Sequence, residues 1–249
     1  MSANNIKHYR LRLALYKIRH SPTTMVGIAI VMIFVILALF GEYIAPYPED
    51  AYTIHIERKF IPPSPEHPFG TDAVGRDILS RVILATRVSL SIGVGVVILA
   101  VLIGFPLGLL VGYIGGPLEA LVMRLTDIFL SIPSVVLAMA IAAMVEPTLQ
   151  NAMFALVIGW WPWYTRLGFG LASTLKNEDY VLAAKSFGAG WKHIVFREIL
   201  PNAIPILAVK ASLDIGYAIL AEALLGFIGF GVRPQTEEWG TMLSGGRIY

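Results

Sequence analysis

The chain has 249 residues, of which 56% are hydrophobic and 14% charged, with a formal net charge of +2 and no cysteine. That composition marks an integral membrane protein and excludes disulfides, thiol catalysis and thiolate metal sites. A small net charge without a basic patch interleaved with aromatics argues against nucleic acid as a partner.

Residues 1–21 form a leader that carries Lys7, Arg10, Arg12, Lys17 and Arg19 and no acid. The first apolar run, residues 22–43, is long enough to stay as an anchor and lacks a small-x-small cleavage site, so it reads as a span rather than a secretory signal. The loop that follows, residues 44–82, is acidic, with Glu49, Asp50, Glu57, Glu66, Asp72 and Asp77. The positive-inside rule then places the N-terminus in the cytoplasm and this loop on the far side. Within it, Pro62, Pro63, Pro65 and Pro68 hold the backbone extended, Gly70 and Gly75 permit turns, and Arg76 and Asp77 are placed to cap or brace the next helix.

A second span is expected within residues 88–118, where Gly104, Gly108 and Gly112 recur every fourth residue and invite close approach of another helix. Pro106 in this span and Pro133 in the third, residues 121–145, predict kinks. Arg124 and Asp127 are spaced to pair with each other. The fourth span, residues 149–174, holds Trp160, Trp161, Trp163 and Tyr164 around Pro162. These aromatics suit either an interfacial belt or stacking against a flat ligand face.

Residues 177–202 are a polar interval too short and too charged to cross a bilayer. They suit a helix that stops at Gly188, turns through Ala189 and Gly190, and restarts at Trp191. Asn177 is the expected cap, with Val181, Ala184 and Phe187 on one apolar face and Ile194, Val195 and Ile199 on the next. The fifth span, residues 201–230, places Lys210 and Asp214 four residues apart, with Glu222 two turns on. Charges at membrane depth face a partner or a cavity. None of these runs alternates as a barrel strand does, so the expected fold is all-α: a polytopic transmembrane helix bundle with five visible spans.

The polar interval carries a resemblance. Ala183-Ala184, three residues, Gly188 and then Leu200-Pro201 are similar to the cytoplasmic coupling loop of ABC-importer permeases, although Leu182 stands where that family usually has Glu. Residues 67–90, HPFGTDAVGRDILSRVILATRVSL, resemble the entry to the second span in the dipeptide/oligopeptide/nickel group of those permeases. Ala221-Glu222-Ala223, the run from Phe227 to Gly231, Pro234 and Trp239-Gly240 resemble that group's fifth span and outer loop. The resemblance covers the permease domain, residues 22–249, with an extracytoplasmic loop at 44–82 and a coupling loop at 176–201. It also implies a sixth span beyond Trp239-Gly240 that this chain does not contain, and truncation of the sequence is the favoured account.

What the resemblance implies is an ATP-driven importer of dipeptides or oligopeptides in the cytoplasmic membrane. Its expected partners are a second related permease, two ATP-binding subunits and an extracytoplasmic solute-binding protein. Ala183, Ala184, Gly188, Ala189, Leu200 and Pro201 would couple the chain to the ATPases, while Lys210, Asp214, Glu222, Trp160 and Trp163 are candidates for the translocation path. A Lys210–Asp214 pair that merely eases insertion is the plainer account of those two charges. No Gly-x-x-x-x-Gly-Lys-Ser/Thr loop is present, so ATP and magnesium are expected on the partner ATPases and no cofactor on this chain. His8, His20, His55, His67 and His193 lack ligand spacing, and no metal site is expected. Oligosaccharide cargo, suggested by the tryptophans, stays open beside peptide, with nickel third. An ion-coupled secondary carrier centred on Lys210 and Asp214 is the alternative of a different class.

Overall fold

The computed structural model describes residues 18–232 and 236–247, together with Arg12 and Tyr16. Lys7, His8, Arg10 and Lys17 of the leader, and Pro234, lie outside the described residues. The rest is a helical bundle: α1 (Pro22–Ile44), α2 (Ile78–Ile114), α3 (Gly116–Leu130), α4 (Ser134–Ala142), α5 (Leu149–Leu175), α6 (Asp179–Ser186), α7 (Trp191–Ile228) and α8 (Trp239–Gly246).

Among the described residues, α1, α2 and α7 are each long and apolar enough to cross a membrane. The five expected spans are therefore revised in two places. The third is a bent pair, α3 and α4, turned by 81° at Ser131–Pro133. Pro133 causes the break, because proline disfavours helical backbone at the residue before it and cannot donate to the ladder. The fourth, α5, has 27 residues and so reaches about 40 Å, but Gln150, Asn151, Arg166 and its hydroxyl side chains dilute its apolarity. It packs against α2, α4 and α7, so much of its surface meets protein instead of lipid. Pro106, by contrast, sits inside an unbroken α2.

The core is built on the α2–α5 contact, the most extensive in the bundle. Gly104, Gly108 and Gly112 face the α5 backbone there, so close that a Cβ on Gly108 would lie 2.1 Å from the Thr165 carbonyl oxygen. Ile92, Val96, Phe105 and Leu109 of α2 and Leu156 and Tyr164 of α5 are buried around this seam. Helix α1 touches the bundle mainly at its C-terminal end, where Gly41 meets Ile83 and Leu84. Most of its other side chains are apolar and exposed, as contact with lipid tails requires.

The start of α7 is not the separate short helix that the spacing predicts. A π-helical turn at Ile194–Ile199 runs directly into the long helix. Pro201 lacks an N–H and its ring crowds the carbonyl four residues back, and a widened turn accommodates both. Ile194, Val195 and Ile199 are buried, as their spacing predicts.

Candidate functional site

Three sites follow from the helix arrangement, the first being the hairpin between α5 and α7. Glu178 occupies the N-cap position of α6 and Asp179 its first turn, where their charge suits the positive end of the helix dipole. Asn177 is not the cap: its amide donates back to the Ser173 carbonyl at 3.2 Å. At the other end Gly188 takes φ +82°, donating to Lys185 at 2.9 Å while Ala189 donates to Ala184 at 3.0 Å. These two bonds satisfy the carbonyls that a helix end leaves open, and the left-handed residue they need is glycine.

One edge of the hairpin is clamped to the bundle. Val181 is buried, Lys176 donates to the Gly112 carbonyl at 2.9 Å, and the Lys185 ammonium lies 5.2 Å from the Tyr113 ring centroid. The opposite edge is apolar and uncovered. Phe187, expected on the inner face with Val181, is 93% exposed, and Leu182 and Trp191 are exposed beside it. Phe187 is the C-cap residue of α6, where the backbone leaves helical geometry, so it escapes the buried face. Of the expected coupling residues, Ala183 and Gly188 are exposed, while Ala184 and Ala189 are half-buried at the turn. Leu200 packs toward the core and Pro201 is exposed, both at the far end of the hairpin.

The second site is an open cleft of about 470 Å³ lined by Trp160 and Trp163 of α5, Ser134 of α4, and Lys210, Asp214 and Tyr217 of α7. Lys210 Nζ lies 2.6 Å from both carboxylate oxygens of Asp214 and 5.7 Å from the Tyr164 ring centroid. Four of the five path candidates thus meet in one place. The aromatic cluster divides: Trp160 and Trp163 line the cleft, Trp161 packs edge-on to Phe129, and Tyr164 is fully buried.

Glu222 does not join the cleft. It lies eight residues past Asp214, which turns it about 80° around the helix. It is fully buried where α8 packs on the end of α7 near Gly226, opposite Glu238, whose carboxylate caps α8 by accepting from Gly240 and Thr241. Asp127 also departs from expectation. It pairs with Arg166 of α5, not with Arg124 on its own helix. That ion pair ties α3 to α5, and sequence spacing alone gave no sign of it.

The third site is the loop between α1 and α2, whose motif residues are buried or half-buried in its own framework. Asp77 caps α2 by accepting from the Ser80 N–H at 2.8 Å, and its second oxygen lies 2.8 Å from His67 Nδ1. Asp72 accepts from the backbone N–H groups of Val74 and Arg76, both at 2.9 Å, and from the guanidinium groups of Arg76 and Arg81, both at 2.8 Å. Burial pushes its pKa up, but those backbone hydrogen bonds and the Arg76 charge outweigh it and hold the carboxyl below the usual aspartate value. The linked stability is complete above the unfolded pKa of about 3.9 and is lost as pH falls through the lower folded value. In detergent, pepsin is therefore expected to spare the wild-type loop at about pH 4.5 and cut it near pH 2, whereas Asp72→Asn is cut at both. Equal resistance of the variant would show that Asp72 does not hold the loop.

Comparison with known proteins places the sequence among relatives. The sequence model described as binding-protein-dependent transport system inner membrane component matches residues 104–247, and that of the N-terminal TM domain of oligopeptide transport permease C matches residues 10–63. The chain is 44% identical to the probable D,D-dipeptide transport system permease protein of Escherichia coli (strain K12), over 94% of this chain and 78% of that protein. It is 39% identical to the dipeptide transport system permease protein of Haemophilus influenzae, over 90% of this chain and 77% of that one. The nickel transport system permease protein of Escherichia coli (strain K12) is 33% identical, over 90% of this chain and 80% of that one.

Proposed function

The chain belongs to the family of binding-protein-dependent transport system inner membrane components, within its dipeptide, oligopeptide and nickel permeases, and on that premise we propose that it forms one half of the membrane path of an ATP-driven importer of dipeptides and oligopeptides. The observation that carries the mechanism is the hairpin at residues 177–202. It is clamped to the bundle along one edge and offers Phe187, 93% exposed, along the other. An aromatic side chain left this open on a hairpin that is otherwise clamped to the bundle offers a contact for a protein partner.

The partner is an ATP-binding subunit, which holds the ATP and magnesium. A second permease completes the path, and a solute-binding protein delivers cargo to the outer face. Ala183, Ala184, Gly188 and Ala189 form the turn that enters the ATPase, while Leu200 and Pro201 pass its movement into α7. Closure of the ATPases on ATP moves this turn, and the π-helical start of α7 transmits the motion to the cleft at Lys210 and Asp214. Such coupling requires that the two ATPase states dock the hairpin differently, because an equilibrium shifts only by differential affinity. The basic leader and the acidic outer loop support a cytoplasmic N-terminus.

Purification of the tagged chain in mild detergent tests the reading. Wild type is expected to bring down a protein with a phosphate-binding loop, and Gly188→Asp to lose it. Asp enters the left-handed conformation more readily than most side chains, at a strain of roughly 1–2 kcal/mol that is a fraction of a total stability of about 5–15 kcal/mol. A Cβ at this position meets nothing within 4 Å, so the variant charges the docking edge with the fold retained. Purification alone, together with uptake that is indifferent to ATP depletion, would overturn the reading in favour of an ion-coupled carrier.

A further inference from the structure

Full charges near the middle of a membrane-crossing helix must satisfy each other or a ligand. Lys210 and Asp214 do the first, and their setting is built for the second. Asp214 is 4% exposed, while the Lys210 side chain keeps 36% of its surface open. They are the charged residues among those lining the cleft, whose walls are otherwise Trp160, Trp163, Tyr217 and aliphatic side chains. A bidentate contact still leaves an ammonium donor and carboxylate lone pairs unused. Ser134 lines the same cleft as the first residue of α4, whose first-turn amides have no acceptor within the helix.

We propose that this cleft receives the two end groups of a peptide, whose ammonium takes the place of Lys210 against Asp214 while its carboxylate turns to Lys210. The inference rests on the peptide-import reading above. One internal ion pair becomes two pairs with the cargo, so no charge stands unpaired at membrane depth during the exchange. A peptide with both ends capped offers nothing in return for breaking the pair, and is disfavoured. The pair closes again once the cargo leaves. A volume of about 470 Å³ lies within the range of small-ligand pockets.

The chain has no native cysteine, so Tyr217→Cys introduces a single reporter thiol in the cleft, at a position that is 64% exposed. Membrane vesicles holding the assembled transporter, washed free of binding protein, would be labelled with a maleimide in the presence of diglycine or its N-acetylated amide. Diglycine is expected to slow labelling at about tenfold lower concentration than the capped form, the scale of one charged hydrogen bond. In a Lys210→Met/Asp214→Leu background, which removes both charges and leaves neither unpaired, the two peptides should become equivalent. Equal potency on the intact pair, protection by neither peptide, or a difference that survives in the neutral double variant would overturn the exchange. ATP-driven uptake of a radiolabelled dipeptide by the same vesicles, supplied with binding protein, separates the two failures. Uptake without a free-versus-capped difference sinks the exchange alone, whereas absence of uptake sinks the import reading.

Discussion

Replacing Gly108 by alanine should strongly destabilise the bundle, although it adds one methyl group. A Cβ there would lie 2.1 Å from the Thr165 carbonyl oxygen, 2.8 Å from the Phe169 nitrogen and 2.9 Å from the Thr165 carbonyl carbon. All three are backbone atoms of α5, so no rotamer change relieves the clash. The helices must instead separate by roughly 1.4 Å to reach a normal contact distance of about 3.5 Å, which weakens dispersion along the whole α2–α5 seam. The expected penalty is about 3 kcal/mol, the upper end for overpacking, and a large part of a total stability of about 5–15 kcal/mol. Thermal challenge followed by size-exclusion chromatography in detergent reads the loss. Gly170→Ala is the control, since that position lies in α5 and an added methyl group there meets nothing within 4 Å. It should be neutral or stabilising by up to about 1 kcal/mol. A Gly108→Ala protein that melts with wild type would show that the seam is looser than the structure describes.

Phe187→Ala should do the reverse, leaving the fold intact and disabling transport. The side chain is 93% exposed, so its removal takes almost no packing from the bundle. If the hairpin seats in a partner, an exposed aromatic on its outer edge is the kind of residue that dominates binding, and truncation costs about 2–4 kcal/mol. Retention of the ATP-binding subunit should then fall by about 30-fold or more, with ATP-driven uptake falling in parallel. Val181→Ala provides the contrast. Val181 is fully buried on the clamped edge, so its truncation should lower the melting temperature before it affects partner affinity. Unchanged retention in Phe187→Ala would move the docking surface elsewhere.

Much of the architecture was legible in the residues. Apolar runs must be helical in lipid, where every backbone group needs an internal partner. The four-residue glycine repeat announced a close contact, Asp77 announced a cap, and Gly188 announced a turn. Each of these depends on chemistry within a few residues of chain. The π-helical entry to α7 was less readable, because Pro201 can be accommodated by a break as well as by a widened turn.

Sequence by itself therefore determined that this is a helical membrane protein, and it located the turn at Gly188 and the cap at Asp77 but missed the cap at Glu178, which it assigned to Asn177. Only the tertiary structure decided what each helix face meets. Asp127 had Arg124 three residues away and pairs with Arg166, thirty-nine residues away, because α3 packs on α5. Glu222 looked like the next charge on the Lys210–Asp214 face, but helical rotation carries it into the contact with α8. Trp160 and Trp163 became cleft walls because the α3–α4 bend at Pro133 brings Ser134 beside them. Periodicity states that a face exists, whereas the neighbour it meets is set by packing among elements far apart in the chain. That is why Phe187 and Val181, grouped by spacing on one apolar face, end on opposite sides of the hairpin.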